Sequence, residues 1–119
     1  MAWEVEVTDE FRDWYYSLED DQQGAVNTGV QMLEQHGPNL GRPRVGLIVT
    51  SEFANMKELR VSEGGALRIL FVFDPRRQAA LLLGGDKTGA WDEWYQTAIP
   101  DADRLYREYL AELKNEGLL

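Results

Sequence analysis

Four cations in the middle of the chain sit where chemistry is possible: Lys57, Arg60, Arg68 and Lys87 lie in or just beyond short apolar runs that read as strands. If Val61 faces Leu67 across the Ser62 to Ala66 loop, Arg60 stands directly opposite Arg68. Facing like charges destabilise a strand pair unless an anion or a carboxylate lies between them. With Phe73 facing Gln78 across the next turn, Arg68 falls opposite Leu83 and Lys87 comes near Gly64, at the Arg60/Arg68 end of the sheet. Arg76 and Arg77 then lie at the other end. Lys57 differs in parity from Arg60 and shares its face only through a bulge, which the broken alternation of Met56, Leu59 and Val61 allows. Two readings stay open for the cluster: an anion site, or ion pairs with the nearby Glu58, Glu63 and Asp86.

Other chemistries are excluded by residue type. The chain has no cysteine and one histidine, His36, so disulfides, thiol catalysis, thiolate metal sites and imidazole pairs are absent. No metal and no cofactor is expected. His36, beside Gly37, reads as a helix C-terminal residue. The run Gly84-Gly85-Asp86-Lys87-Thr88-Gly89 lacks the glycine spacing of a phosphate loop and no helix in that context follows it. Arg76 and Arg77 in their turn read as solvated. Trp91, Trp94 and Tyr95 offer stacking surfaces for bases, although aromatics beside a helix start are more often packing.

The elements that must position these residues follow from hydrophobic period. Trp3, Val5 and Val7 alternate with glutamates as a half-buried strand. Thr8 caps a helix carrying Phe11, Trp14, Tyr15 and Leu18, and Asp20 or Asp21 starts a second, with Val26, Val30 and Leu33, that Gly37-Pro38 ends. Val45 to Thr50, Met56 to Val61, Leu67 to Phe73 and Gln78 to Leu83 then form an antiparallel β-meander, with Ser62-Glu63-Gly64-Gly65 and Asp74-Pro75-Arg76-Arg77 as turns. Pro100 is expected to open a last helix, with Leu105, Tyr106, Tyr109 and Leu113 on its apolar stripe. The expected fold is α+β: an N-terminal strand and helical hairpin, the meander, and a C-terminal helix packed on the sheet. The 119 residues fit a single domain, 1–119.

Charge is distributed unevenly. The net charge is -9, which argues against a protein that coats polyanions, yet residues 1–34 carry -8, residues 35–88 carry +3 and residues 89–119 carry -4. The bases belong to the sheet. No apolar run approaches the ~20 residues needed to span a bilayer, and the N-terminus lacks the basic and apolar regions of a leader. A cytoplasmic protein without a membrane partner is expected.

Four segments in order, His36-Gly37-Pro38-Asn39-Leu40-Gly41-Arg42-Pro43, Met56-Lys57-Glu58-Leu59-Arg60-Val61, Arg68-Ile69-Leu70-Phe71-Val72-Phe73-Asp74 and Leu81-Leu82-Leu83-Gly84-Gly85-Asp86-Lys87-Thr88, resemble the phage-derived, HigB-like branch of the RelE/ParE toxin superfamily. The resemblance implies a RelE-like fold and a toxin of a type II toxin–antitoxin pair, silenced by a helix-turn-helix antitoxin. It implies a metal-independent mRNA endoribonuclease, often working on the ribosome, in which the 2'-hydroxyl attacks the adjacent phosphate and basic groups stabilise the phosphorane. Carried over by position, Arg68 and Arg60 are the phosphate contacts, with Lys57 or Lys87 as a second electrostatic or proton-donating group. Arg42, Arg44, Arg76, Arg77 and Trp91 become candidate RNA contacts. Relatives commonly have a second lysine where this chain has Asp86 and a proline where it has Gly89. The C-terminal tyrosine or histidine of RelE- and HigB-type sites has no counterpart beyond Trp91, Trp94, Tyr95 or a helix tyrosine. A ParE-like, non-enzymatic inhibitor of a protein target and a degenerate antitoxin-binding module are the alternatives. In each case the partner is expected on the basic sheet face, for want of obvious internal counter-charges.

Overall fold

The computed structural model describes residues 2–61, 66–88 and 91–119, with the side chain of Trp91 also left aside. Its order is β1 (Val5–Val7), α1 (Asp9–Ser17), α2 (Asp20–His36), a 3-10 turn (Gly37–Asn39), β2 (Val45–Leu47), β3 (Lys57–Val61), β4 (Leu67–Phe73), β5 (Ala79–Asp86) and α3 (Trp91–Asn115). This is the expected α+β arrangement. The five strands lie in the order β1-β5-β4-β3-β2. The meander β2 to β5 is antiparallel, while β1 pairs with β5 in parallel, an addition that the alternation of Trp3, Val5 and Val7 did not specify.

Strand parity splits the core into two. Leu59, Val61, Leu67, Ile69, Phe71, Ala79 and Leu81 face the α1–α2 hairpin with Phe11, Val26 and Leu33. Leu70, Val72, Ala80 and Leu82 face α3 with Ala98, Ala102, Leu105 and Tyr106. The sheet is thus the middle of three layers. Thr8 caps α1, its hydroxyl accepting from the Phe11 N–H at 3.0 Å. The start of α2 is closed by the Glu19 N–H donating to the Gln22 side chain at 3.0 Å.

Two expectations need correction. Pro100 lies inside α3, which begins at Trp91. A mid-helix proline costs about 3 kcal/mol, but Trp94, Tyr95, Ala98 and Ile99 before it continue the apolar stripe of Ala102, Leu105 and Tyr106 on the sheet, and each large side chain contributes about 1.5–3 kcal/mol. Burial wins over the missing hydrogen bond. The β4–β5 register is also displaced: Phe73 faces Ala79, and a bulge places Leu83 opposite Leu70 and Leu81 opposite Phe71, so Arg68 faces Gly85 instead of Leu83. The Ser62 to Gly65 part of the β3–β4 loop lies outside the described residues. Among the described residues, no helix is long and apolar enough to cross a membrane.

The Gly84-Gly85 pair has a packing cause. A Cβ on Gly84 would stand 2.3 Å from a Trp14 ring carbon, and one on Gly85 would stand 2.2 Å from Trp94 Nε1. The two indoles clamp β5 from opposite layers. Gly84→Ala and Gly85→Ala are each expected to lower unfolding free energy by about 1–3 kcal/mol through overpacking. Gly24→Ala in α2, with nothing within 4 Å of the new methyl, should raise it by about 0.5–1 kcal/mol. Urea titrations of the three variants check this, and equal midpoints would refute it.

Candidate functional site

On the α3 face, at one end of the sheet, neighbouring strands align a row of cations. Arg60 is in register with Arg68, as expected. Arg68 is in register with Gly85, and Lys87 follows two residues on, its N–H donating to the Ala66 carbonyl at 3.2 Å. On the other side the Arg60 N–H donates to the Arg44 carbonyl at 2.8 Å, placing Arg44 next in line. Strands lie about 4.8 Å apart, so the row from Arg44 to Lys87 extends roughly 15 Å.

The row is held from beneath by one carboxylate. Glu58, 7% exposed, has the same parity as Arg60. Its Oε2 lies 3.4 Å from Arg60 Nη2 and its Oε1 3.5 Å from Arg68 Nε. The expectation that the cluster lacks an internal counter-charge is therefore overturned. Glu58 relieves the facing pair, though two arginines against one carboxylate leave a net positive site. The Tyr95 hydroxyl, from the first turns of α3, donates to Glu58 Oε1 at 2.6 Å. Burial, then this bond, pushes the Tyr95 phenol up to about 12.

Backbone contacts fix the guanidinium groups. Arg60 Nη1 donates to the Pro43 carbonyl at 3.1 Å and Arg68 Nη1 to the Leu67 carbonyl at 2.9 Å. Gly46 leaves room for Arg60 to lie across β2, since a Cβ there would stand 2.5 Å from Nη2. Arg68 Nε is buried without a hydrogen-bond acceptor of suitable geometry. Lys87 is 4% exposed, with Nζ 5.5 Å from the Tyr95 ring centroid. Burial first, and then the Arg68 charge, hold its ammonium below the ordinary lysine value. Asp86 turns its carboxylate to Thr88, whose hydroxyl and N–H both donate to Oδ1, and these bonds lower its pKa.

The remaining candidates lie elsewhere. β3 pairs regularly with β4 from Lys57 to Val61, and the bulge sits on β5, so Lys57 keeps its parity and faces the opposite layer, over Phe73 at 5.5 Å. Arg76, expected to be solvated or to contact RNA, is instead tied to Asp74, Glu6 and Tyr109. Arg77 lies over Trp3, and Arg42 is exposed before β2. The Trp91 side chain lies outside the described residues. Glu58 and Tyr95 are the members that the cation pattern undervalued. The signal for Glu58 was available: a carboxylate two residues before Arg60 must share its face.

Residues 13–107 match the family described as phage derived protein Gp49-like. The chain is 50% identical over 104 residues to "Putative toxin HigB3" of Mycobacterium tuberculosis, covering 87% of this chain and 90% of that protein. It is 38% identical over 117 residues to "Putative toxin HigB2" of the same organism, covering 97% of this chain but spanning only 58% of that protein. Its fold is similar to RelBE2, a toxin–antitoxin complex of M. tuberculosis (TM-score 0.55, 19% identity, 72% of this chain and 99% of that one). It is also similar to the archaeal RelE–RelB complex of Pyrococcus horikoshii OT3 (TM-score 0.57, 14% identity, 76% and 100%). At those identities the two structures speak for the fold, a RelE-like one.

Proposed function

Because the chain belongs to the phage-derived Gp49-like family, together with the HigB-named toxins it matches, we propose that it is the toxin of a type II toxin–antitoxin pair and cleaves mRNA in the cytoplasm. The observation that carries this reading is the row Arg44, Arg60, Arg68 and Lys87 across neighbouring strands, with Glu58 as the carboxylate bonded beneath it. Attack of a ribose 2'-hydroxyl on the adjacent phosphate, its proton released to water and the P–O5' bond breaking to leave a 2',3'-cyclic phosphate, concentrates charge on the phosphorane oxygens, and positioned guanidinium groups stabilise it without reorganising. Arg60 and Arg68 take that role, with their directions preset by the Pro43 and Leu67 carbonyls and by Glu58. Lys87, whose ammonium is held below its ordinary value, is the proton donor to the departing 5'-oxygen. Its acidity lies closer to neutrality than that of an exposed lysine. Lys57, on the other face, takes no part in that step.

The partner that silences the toxin is a helix-turn-helix antitoxin lying over the same cationic face, where it denies the row to RNA. The toxin–antitoxin complexes of similar fold support a protein partner of this kind. Ribosome-bound mRNA suits a chain of net charge -9, because acidic helices lower affinity for free RNA and a host must hold the substrate.

Induced expression without the antitoxin, followed by sequencing of mRNA ends, tests the reading. Growth arrest with new mRNA ends is expected. Arg68→Ala should abolish the arrest and slow cleavage by roughly 10²–10³-fold, the usual effect of removing one group that stabilises a transition-state oxyanion. Normal growth at verified wild-type protein levels would sink the proposal. The partial neutralisation of the arginines by Glu58 favours the second reading, a non-enzymatic inhibitor, which arrest with intact mRNA would select.

A further inference from the structure

We propose that the opposite face of the sheet carries a second RNA subsite, a cavity that takes a backbone phosphate of single-stranded RNA between Lys57 and Arg77. This rests on the ribonuclease reading and extends it, because the site lies away from the scissile bond. The cavity, of about 220 Å³, is lined by Pro38, Asn55, Lys57, Phe73, Asp74 and Arg77. Lys57 Nζ lies 5.5 Å from the Phe73 ring centroid and the Arg77 guanidinium 5.5 Å from that of Trp3. Trp3 meets Phe73 edge-on at 6.1 Å, so the two cations rest on one continuous aromatic base.

Among the described residues neither cation has a carboxylate partner. Among the described residues the ion pairs belong to Arg12, Arg60, Arg68, Arg76, Arg104 and Arg107. In a chain with 21 acidic and 12 basic residues, two unpaired cations at the rim of one concavity stand out against the charge balance. Asp74 does not neutralise them: its oxygens accept from Arg76, from Tyr109 and from the N–H groups of Arg76 and Gln78. Cations interleaved with aromatic rings are the usual equipment for single-stranded nucleic acid, which favours RNA over an acidic protein segment.

The placement relative to the row gives the strand a path. Lys57 and Arg60 belong to the same strand, three residues and about 10 Å apart, on opposite faces. The sheet edge beside them is β2, and Arg42 and Arg44 stand just before it. A strand leaving the Arg60/Arg68 end crosses that edge past Arg42 and Arg44 and reaches Lys57 and Arg77 a few nucleotides on.

Fluorescence anisotropy with 2'-O-methyl oligonucleotides, which lack the nucleophile and are not cut, tests this on the full chain at several salt concentrations. Strands of about 4 and about 15 nucleotides bracket the usual site sizes. In the Lys57→Ala/Arg77→Ala variant the long strand is expected to bind roughly tenfold more weakly, with its salt slope reduced by about 0.7 per lost phosphate contact. The short strand should bind as before. An unchanged long-strand affinity overturns the subsite alone, and equal weakening of both lengths overturns it by returning Lys57 to the row. Loss of antitoxin capture with RNA affinity intact makes the cavity a protein contact and likewise overturns it. Failure of both lengths to bind the unaltered chain overturns the subsite, while the ribonuclease reading, whose substrate is held by a host, stands or falls with the mRNA ends.

Discussion

Asp74→Ala is expected to lower the unfolding free energy by about 2–3 kcal/mol, the cost of taking a shared acceptor from buried donors, of which Arg76 and Tyr109 can still reach Glu6. The Asp74 side chain is 0% exposed. Its Oδ2 lies 3.1 Å from Arg76 Nη2 and 2.7 Å from the Tyr109 hydroxyl, and its Oδ1 accepts the N–H groups of Arg76 at 2.8 Å and Gln78 at 3.0 Å. The same Tyr109 hydroxyl lies 3.0 Å from Glu6 Oε2. A phenol has one proton to give, so the shorter Asp74 contact claims it and Glu6 is served by Arg76 at 3.1 Å. The network therefore ties β1, the β4–β5 turn and α3 at one point. Alanine leaves the turn amides, the guanidinium and the phenol without their shared acceptor. Asp74→Asn, which keeps a carbonyl acceptor but no charge, should lose distinctly less. Urea unfolding of both variants gives the order, and an alanine variant within 1 kcal/mol of wild type would show that the turn holds itself.

The same network sets an alkaline limit. Burial, then the bond to Asp74, raises the Tyr109 pKa above its ordinary value. The folded state thus holds this proton more tightly than the unfolded chain, whose tyrosines titrate near 10. The stability linked to Tyr109 is complete below about pH 10 and disappears as pH rises through the raised value.

How much of this was legible in the sequence depended on whether a local pattern determined it. The helical hairpin, the antiparallel meander and the Arg60/Arg68 pairing follow from periods and from one loop, and the structure has them. The parallel pairing of β1 is a tertiary choice, although the unbroken apolar run Ala79 to Leu83 signals a strand flanked on both sides. A bulge cannot be located from a period alone, and its place on β5 instead of β3 moved two assignments together: Arg68 came to face Gly85, and Lys57 stayed on the far face. Pro100 misled because a single-residue rule was set against a burial stripe that ran past it. Arg76 was misread because turn arginines usually meet water, whereas Glu6 and Tyr109 reach it from 70 and 33 residues away.

Lys87→Ala should slow RNA cleavage by roughly 10²–10⁴-fold, the range for losing a positioned general acid. Lys87→Arg separates that role from plain charge, since a guanidinium keeps the positive charge but does not release its proton near neutral pH. If Lys87 donates to the departing 5'-oxygen, the arginine variant binds RNA as the wild type does and cleaves it as slowly as the alanine variant. The pH profile carries the sign. Only the ammonium form donates, so activity holds at low pH and falls as pH rises through the Lys87 pKa, which burial and then Arg68 have pulled below the ordinary 10.5. Arg68→Ala removes one of those causes. Its residual activity should therefore persist to higher pH than that of the wild type, opposite to what general weakening of the site would give. An alkaline limb that stays in place in Arg68→Ala, or an arginine variant that cleaves at the wild-type rate, would leave Lys87 as an electrostatic group and move proton donation elsewhere. Tyr95 is a weaker candidate for that post: its phenol, pushed up to about 12 and hydrogen-bonded to Glu58, is a poorer acid than Lys87 at any pH where RNA is the substrate.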